Sequence, residues 1–247
     1  MSDRTPSSRR TKVLVLGGFA AFILSLFLFF SPMLGLVKHN FIHLPYFGPK
    51  ETVLVEKEGK MVVDTIYATI PPFTFTDQFG KPFSQQQTDG KIVVVDFFFT
   101  RCTTICPKMS THMQQLQFKL DDDAFDDVLF LSHSVDPEYD TPEVLRAYSK
   151  KLEADTARWK FLTGAKADLY LQGSEGYYLA AKEDVMAPDG FLHSEQFVLV
   201  DKDKHIRGYY DGTDQEAMNN LAGDIKMLLK EEKIKNAAAT KAERAKR

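Results

Sequence analysis

The chain has 247 residues, 44% hydrophobic and 26% charged, with a net charge of −3. Those proportions exclude a largely disordered chain, and the weak acidity argues against nucleic-acid binding. Two cysteines exclude a multi-disulfide scaffold and a zinc site made of thiolates alone.

The charge is unevenly spread. Residues 1–12 carry net +3 and residues 230–247 net +4, which leaves −10 for residues 13–229. Residues 13–37 form a charge-free run of 25 residues rich in Leu, Phe, Val and Ile. As a helix it is about 37 Å long, enough to cross a hydrocarbon core of about 30 Å. Basic residues precede it, which predicts a cytoplasmic N-terminus and an exported body. The run is longer than the apolar part of a cleavable signal and ends without a clear small-residue cleavage site, so a retained anchor is expected. No cysteine stands directly after the run, which excludes a lipid anchor through cysteine there. The exported compartment is oxidising, so a cysteine pair there carries meaning.

Residues 38–50 hold Pro45, Gly48 and Pro49 and read as a stalk. Thr52–Glu56 and Met61–Ile66, around Glu58-Gly59, predict a hairpin, and Phe73–Thr76 with Lys81–Ser84 a second one. The apolar run Lys91–Phe99 predicts a strand buried on both faces. Met109, Met113, Leu116 and Leu120 then recur at helical spacing. Val128–Ser132 reads as a strand. Thr141-Pro142-Glu143 starts a helix capped by Asp140 or Thr141. Trp159–Thr163 is a strand, Ala167–Gln172 a short helix, and Gln196–Val200 with His205–Tyr210 a hairpin. Asp214–Leu229 is a closing helix, followed by a charged, frayed tail over residues 231–247. Strands and helices alternate without a second-domain boundary, which predicts one α/β domain over residues 51–230.

The strongest chemical signal is Cys102-Thr103-Thr104-Ile105-Cys106-Pro107, which follows the most apolar strand and opens a helix. A helix N-terminus stabilises thiolate. Positions i and i+4 share a helix face about 5–6 Å apart, so both sulfurs can reach one ion or one another. Thiolates are the nucleophiles of disulfide exchange and preferred ligands of Cu(I) and zinc. A purely structural bridge across so short a loop would stabilise little. The motif alone does not choose between redox and metal chemistry, and a third ligand would. Of the six histidines, His39 and His43 lie in the stalk, His112 faces elsewhere on the helix, His133 reads as a satisfied core residue and His205 lies in a charged turn. His193 stands just before a predicted strand. Met109 and Met113 read as core.

These residues resemble the Sco/SenC copper chaperones. The matching stretches are Val95–Cys102 through Cys106-Pro107, Val135–Glu143, Phe161–Gly164 and His193–Asp201, within about residues 65–230. The resemblance implies a thioredoxin-like fold: α/β, with a central mixed β-sheet flanked by helices. It implies one copper ion, Cu(I) or Cu(II), held by Cys102, Cys106 and His193. The implied role is assembly of the copper centre of cytochrome c oxidase. The partners would be the oxidase's copper-bearing subunit or another copper protein, met on the periplasmic or outer side of a bacterial inner membrane. Two departures stand out: Leu192 where many relatives have Asp, and Thr103 where many have Pro. The rival reading is a thiol–disulfide oxidoreductase that reduces partner cysteines, with Cys102 attacking; a peroxide-reducing enzyme is a third. An ordinary thioredoxin-like reductase has CxxC and a Pro before the strand that here follows His193-Ser194.

Overall fold

The computed structural model describes residues 8–30, 43–57, 59–179 and 194–245. The chain divides into two compact units, Met1–Ile42 and His43–Arg247. In the first, α1 spans Ser8–Phe30. Leu16, Phe19, Phe22, Leu24 and Phe27 on it are exposed. Its side chains are described only over Leu16–Phe27. Among the described residues no helix is long and apolar enough to cross a membrane. Residues 31–37 of the expected anchor lie outside the described residues.

In the second unit, β1 (Lys50–Lys57) and β2 (Lys60–Tyr67) pair as the expected antiparallel hairpin, separate from the main sheet, with Glu56 opposite Met61. The main sheet has seven strands. They are β3 (Thr74–Asp77), β4 (Pro82–Ser84), β5 (Ile92–Phe98), β6 (Val128–Ser134), β7 (Trp159–Thr163), β8 (Gln196–Val200) and β9 (Ile206–Asp211). Their order is β4-β3-β7-β6-β5-β8-β9. β5, β6 and β7 run parallel, while β3 and β8 join antiparallel, so the sheet is mixed. Every residue of β5 and β6 is buried, as the apolar run predicts for strands covered on both faces.

The helices are α2 (Cys106–Lys119), α3 (Pro142–Lys151), α4 (Lys166–Leu171) and α5 (Gln215–Ala245). The stripe Met109, Met113, Leu116 and Leu120 is buried to 3% exposure or less, so it is core. Phe98 lies on the sheet face covered by α3, stacking on Tyr148 at 5.4 Å, and Tyr148 in turn hydrogen-bonds Ser110 of α2. Phe97, one residue earlier, points to the other face and meets His133 and Tyr177.

Three expectations change. Leu44 is buried and Phe47 bridges to Ile206, so the end of the expected stalk is docked on the domain. α5 does not fray after Leu229 but continues to Ala245. Its last fifteen residues are mostly Lys, Glu, Ala and Arg, good helix formers that sustain the helix beyond the core. Thr141, not Asp140, caps α3 by accepting from the Val144 amide. Asp140 has a different role.

Candidate metal and dithiol site

The site is built at the C-terminal end of β5. The chain leaves the sheet at Phe99, turns through Thr100 and Arg101, and enters α2 only at Cys106. Cys102 therefore lies in the loop rather than on the helix, and the expected helical i, i+4 face does not form. Pro107 in the first turn favours the start at Cys106, since its missing N–H would be unpaired there anyway. The thiols meet nonetheless. Cys102 folds back over the helix N-terminus, its N–H bonded to Phe99 O at 3.2 Å, and its sulfur bonds the Cys106 thiol and, at 3.5 Å, the Thr104 hydroxyl. Both cysteines are free thiols and buried.

The two thiols differ in acidity. Burial pushes Cys102 up. Hydrogen bonds from the Cys106 thiol, the Thr104 hydroxyl and the Cys106 and Thr104 amides outweigh this and hold it below the usual thiol range. Cys106 is pushed well above that range by burial and by the sulfur of Cys102, with the Asp96 carboxylate adding to it. Cys102 is thus the more acidic thiol of the pair and Cys106 the less acidic.

Hydroxyls and carboxylates fix the loop. Asp140, fully buried, accepts from Ser134 Oγ at 2.5 Å, from the Thr100 amide at 3.2 Å and from the Thr100 hydroxyl. Arg101 Nε donates to Asp136 at 2.6 Å, and its guanidinium lies 5.1 Å from the Tyr139 ring centre. Beneath the loop, Asp96 accepts from Ser132 Oγ at 2.5 Å, and that oxygen accepts from Trp159 Nε1 at 2.9 Å. Burial pushes the Asp96 carboxyl up to about 7. Asp96 was visible in the sequence as the lone charge inside the apolar run Ile92–Phe99, but its role had no sequence signal. Asp140 had been readable only as a cap.

The histidines sort clearly. His112 is buried with Nδ1 2.7 Å from Gly212 O, tying α2 to the loop after β9. Gly212 is required there, because an added Cβ would come within 2.8 Å of Phe197. His133 is core, as expected, but not satisfied. Neither ring nitrogen has a hydrogen-bond partner, and Phe73, Phe75, Phe97 and Tyr177 enclose it at centroid distances of 5.0–5.9 Å. Burial pushes it down to about 3, so it is neutral. His205 lies edge-on to Tyr46, far along the sheet from the cysteines. His193 lies outside the described residues. Among the described residues, no three His, Cys, Asp or Glu side chains form a metal-holding group.

A mixed sheet with a dithiol at the junction of its central strand and the following helix defines a thioredoxin-like protein with a reactive cysteine pair. Residues 64–230 match the SCO1/SenC family, and the chain belongs to it. The SCO1 protein homolog of Bacillus subtilis is 32% identical over 168 residues, 68% of this chain and 86% of that protein. The solved structure of BsSco, a member of the Sco family of cytochrome c oxidase assembly proteins in which a disulfide switch was identified, superposes with a TM-score of 0.58 at 32% identity, covering 65% of this chain and 93% of that one. Bradyrhizobium japonicum ScoI with copper bound gives a TM-score of 0.53 at 27% identity, covering 65% and 99%.

Proposed function

We propose that this chain is a membrane-anchored copper chaperone that binds one copper ion through Cys102, Cys106 and His193 and passes it to the copper-bearing subunit of cytochrome c oxidase, on the outer side of a bacterial inner membrane. Copper is cargo here, not a resident cofactor. The carrying observation is the pair of buried free thiols, one of them held below the usual thiol range, in a member of the SCO1/SenC family. Two sulfurs and an imidazole are a soft donor set that suits Cu(I). Support for His193 comes from register. β8 pairs antiparallel with β5, Val198 opposite Val95, so the chain enters β8 at the end of β5 where the cysteine loop begins. The charge-free run 13–37 and the exposed apolar residues of α1 support the anchor. The experiment is a Cu(I) titration of the reduced protein against a competing chelator. One equivalent should bind tightly, and Cys102→Ser or Cys106→Ser should each abolish it. Tight binding retained by either serine variant overturns the site.

The acidity difference between the thiols supports a second activity at the same pair, thiol–disulfide exchange. The Cys102 thiolate attacks one sulfur of a partner disulfide and releases the other as thiolate. Cys106, losing its proton, then attacks the Cys102 sulfur and releases the partner's second thiol. The partner gains two electrons and the chain is left with a Cys102–Cys106 disulfide. This activity should survive His193→Ala. An equal loss of exchange and copper binding in that variant would contradict it.

A further inference from the structure

The end of the domain opposite the cysteines carries a feature the copper reading does not use. Arg207 on β9 is buried, with Nη1 on Asp201 at 2.9 Å and Nη2 on Glu231 at 2.9 Å. The same guanidinium donates to the carbonyls of Leu44 at 2.6 Å and Pro45 at 3.1 Å, and it lies 4.2 Å from the Tyr46 ring centre. Glu231 also accepts from the Leu44 amide at 2.5 Å. This cluster pins the segment that follows the apolar run to one point on α5.

Past Glu232 α5 becomes basic, with Lys235 paired to Asp203 at 2.5 Å. Residues 233–247 carry six basic side chains against the single Glu243, net +5. Lys233–Arg244 are exposed and helical, a rod of roughly 20 Å past Glu231. Only residues 38–43 separate the charge-free run from Leu44, and six residues span at most about 20 Å. The rest of the exported chain is acidic, so an anionic surface repels the body and attracts the rod.

We propose that the basic end of α5 rests on anionic lipid headgroups of the anchoring bilayer and so orients the domain with its cysteines directed away from the membrane. The orientation follows from the course of α5. The helix begins after Gly212, beside His112 and the start of β8 at the cysteine end, and reaches Glu231 about 25 Å later at the opposite end. The thiols then face a partner domain standing clear of the bilayer.

This inference rests on the anchored reading, and one experiment separates their failures. The full chain is reconstituted in phosphatidylcholine vesicles, with or without anionic phosphatidylglycerol, and floated in high salt. Amide hydrogen exchange is then read over residues 233–245. Exchange should be at least about tenfold slower in the anionic vesicles at low salt. The slowing should vanish at about 1 M salt, where the Debye length is about 3 Å. It should also vanish in the triple variant Lys233→Glu, Lys241→Glu, Arg244→Glu, whose β5 exchange, unchanged, shows that the domain is folded. A chain that floats with both vesicle types but exchanges equally in both overturns the lipid contact alone. Slowing that persists in neutral vesicles overturns it too, because the rod would then be covered by protein. A chain that does not float on neutral vesicles overturns the anchor and the orientation together.

Discussion

The two ends of the central sheet treat buried charge in opposite ways. At the far end the buried guanidinium of Arg207 is enclosed by two carboxylates, Asp201 and Glu231. At the cysteine end the buried carboxylates Asp96 and Asp140 are held by hydroxyls and amides, and burial pushes both upward. Paired charges fix geometry and resist titration. Carboxylates held only by neutral donors stay near their titration range, and the thiols beside them stay unequal in acidity. One end is built to hold the chain in place, the other to change protonation and ligand state.

Breaking the paired end should have the largest effect. Arg207→Met leaves Asp201 and Glu231 without their counter-charge in a buried setting, and removing one partner of a buried pair costs about 3–5 kcal/mol. Urea denaturation should show a loss of this size. A loss under 1 kcal/mol would mean that the cluster is not structural. The unpaired end should instead show its character as a pH dependence. Asp96 is raised from its ordinary value to about 7 in the fold, so between about pH 4 and 7 the folded state binds more protons than the unfolded one. Stability should therefore fall as pH rises through that window and level off above it, by up to about 4 kcal/mol for a shift of this size. Asp96→Asn, which keeps an acceptor for Ser132, should flatten the fall. An unchanged slope would assign it to other groups. The smallest effect should come from the half-exposed ion pair at the same end. Arg101 is half exposed although Asp136 is buried, so water can reach the carboxylate once the side chain is removed, and Arg101→Ala should cost clearly less than Arg207→Met despite the 2.6 Å bond. A loss approaching that of Arg207→Met would erase the contrast between the two ends.

Much of this architecture was legible because it rests on local pattern. The buried strand β5, the stripe on α2 and the three hairpins follow from apolar runs, helical spacing and turn residues. The start of α2 was not, because a CxxxC motif before Pro107 fits either a helix beginning at Cys102 or a loop ending at Cys106. The choice depends on Thr100 being held by Asp140, forty residues away. The continuation of α5 was misjudged because a charged tail has no core contact to signal order, while helix propensity alone carries it to Ala245. His133 looked like an ordinary core histidine. That aromatic rings close around it depends on β3 and on Tyr177, which meet only in three dimensions. Within the site, the cysteine pair was plain from its motif, and the carboxylates that set its surroundings were not, since they converge from separate strands and loops.

The central claim is a three-ligand copper site completed by His193. Its most direct test is competitive Cu(I) binding by the reduced protein beside His193→Ala, His112→Ala and His133→Ala, with each variant's fold checked by circular dichroism. The account predicts one equivalent bound by the parent protein, affinity at least about a hundredfold weaker in His193→Ala, above the 10–100-fold typical of losing a group that only supports a ligand, and little change in the other two. Unchanged affinity in His193→Ala, or loss only in His112→Ala or His133→Ala among folded variants, would contradict it.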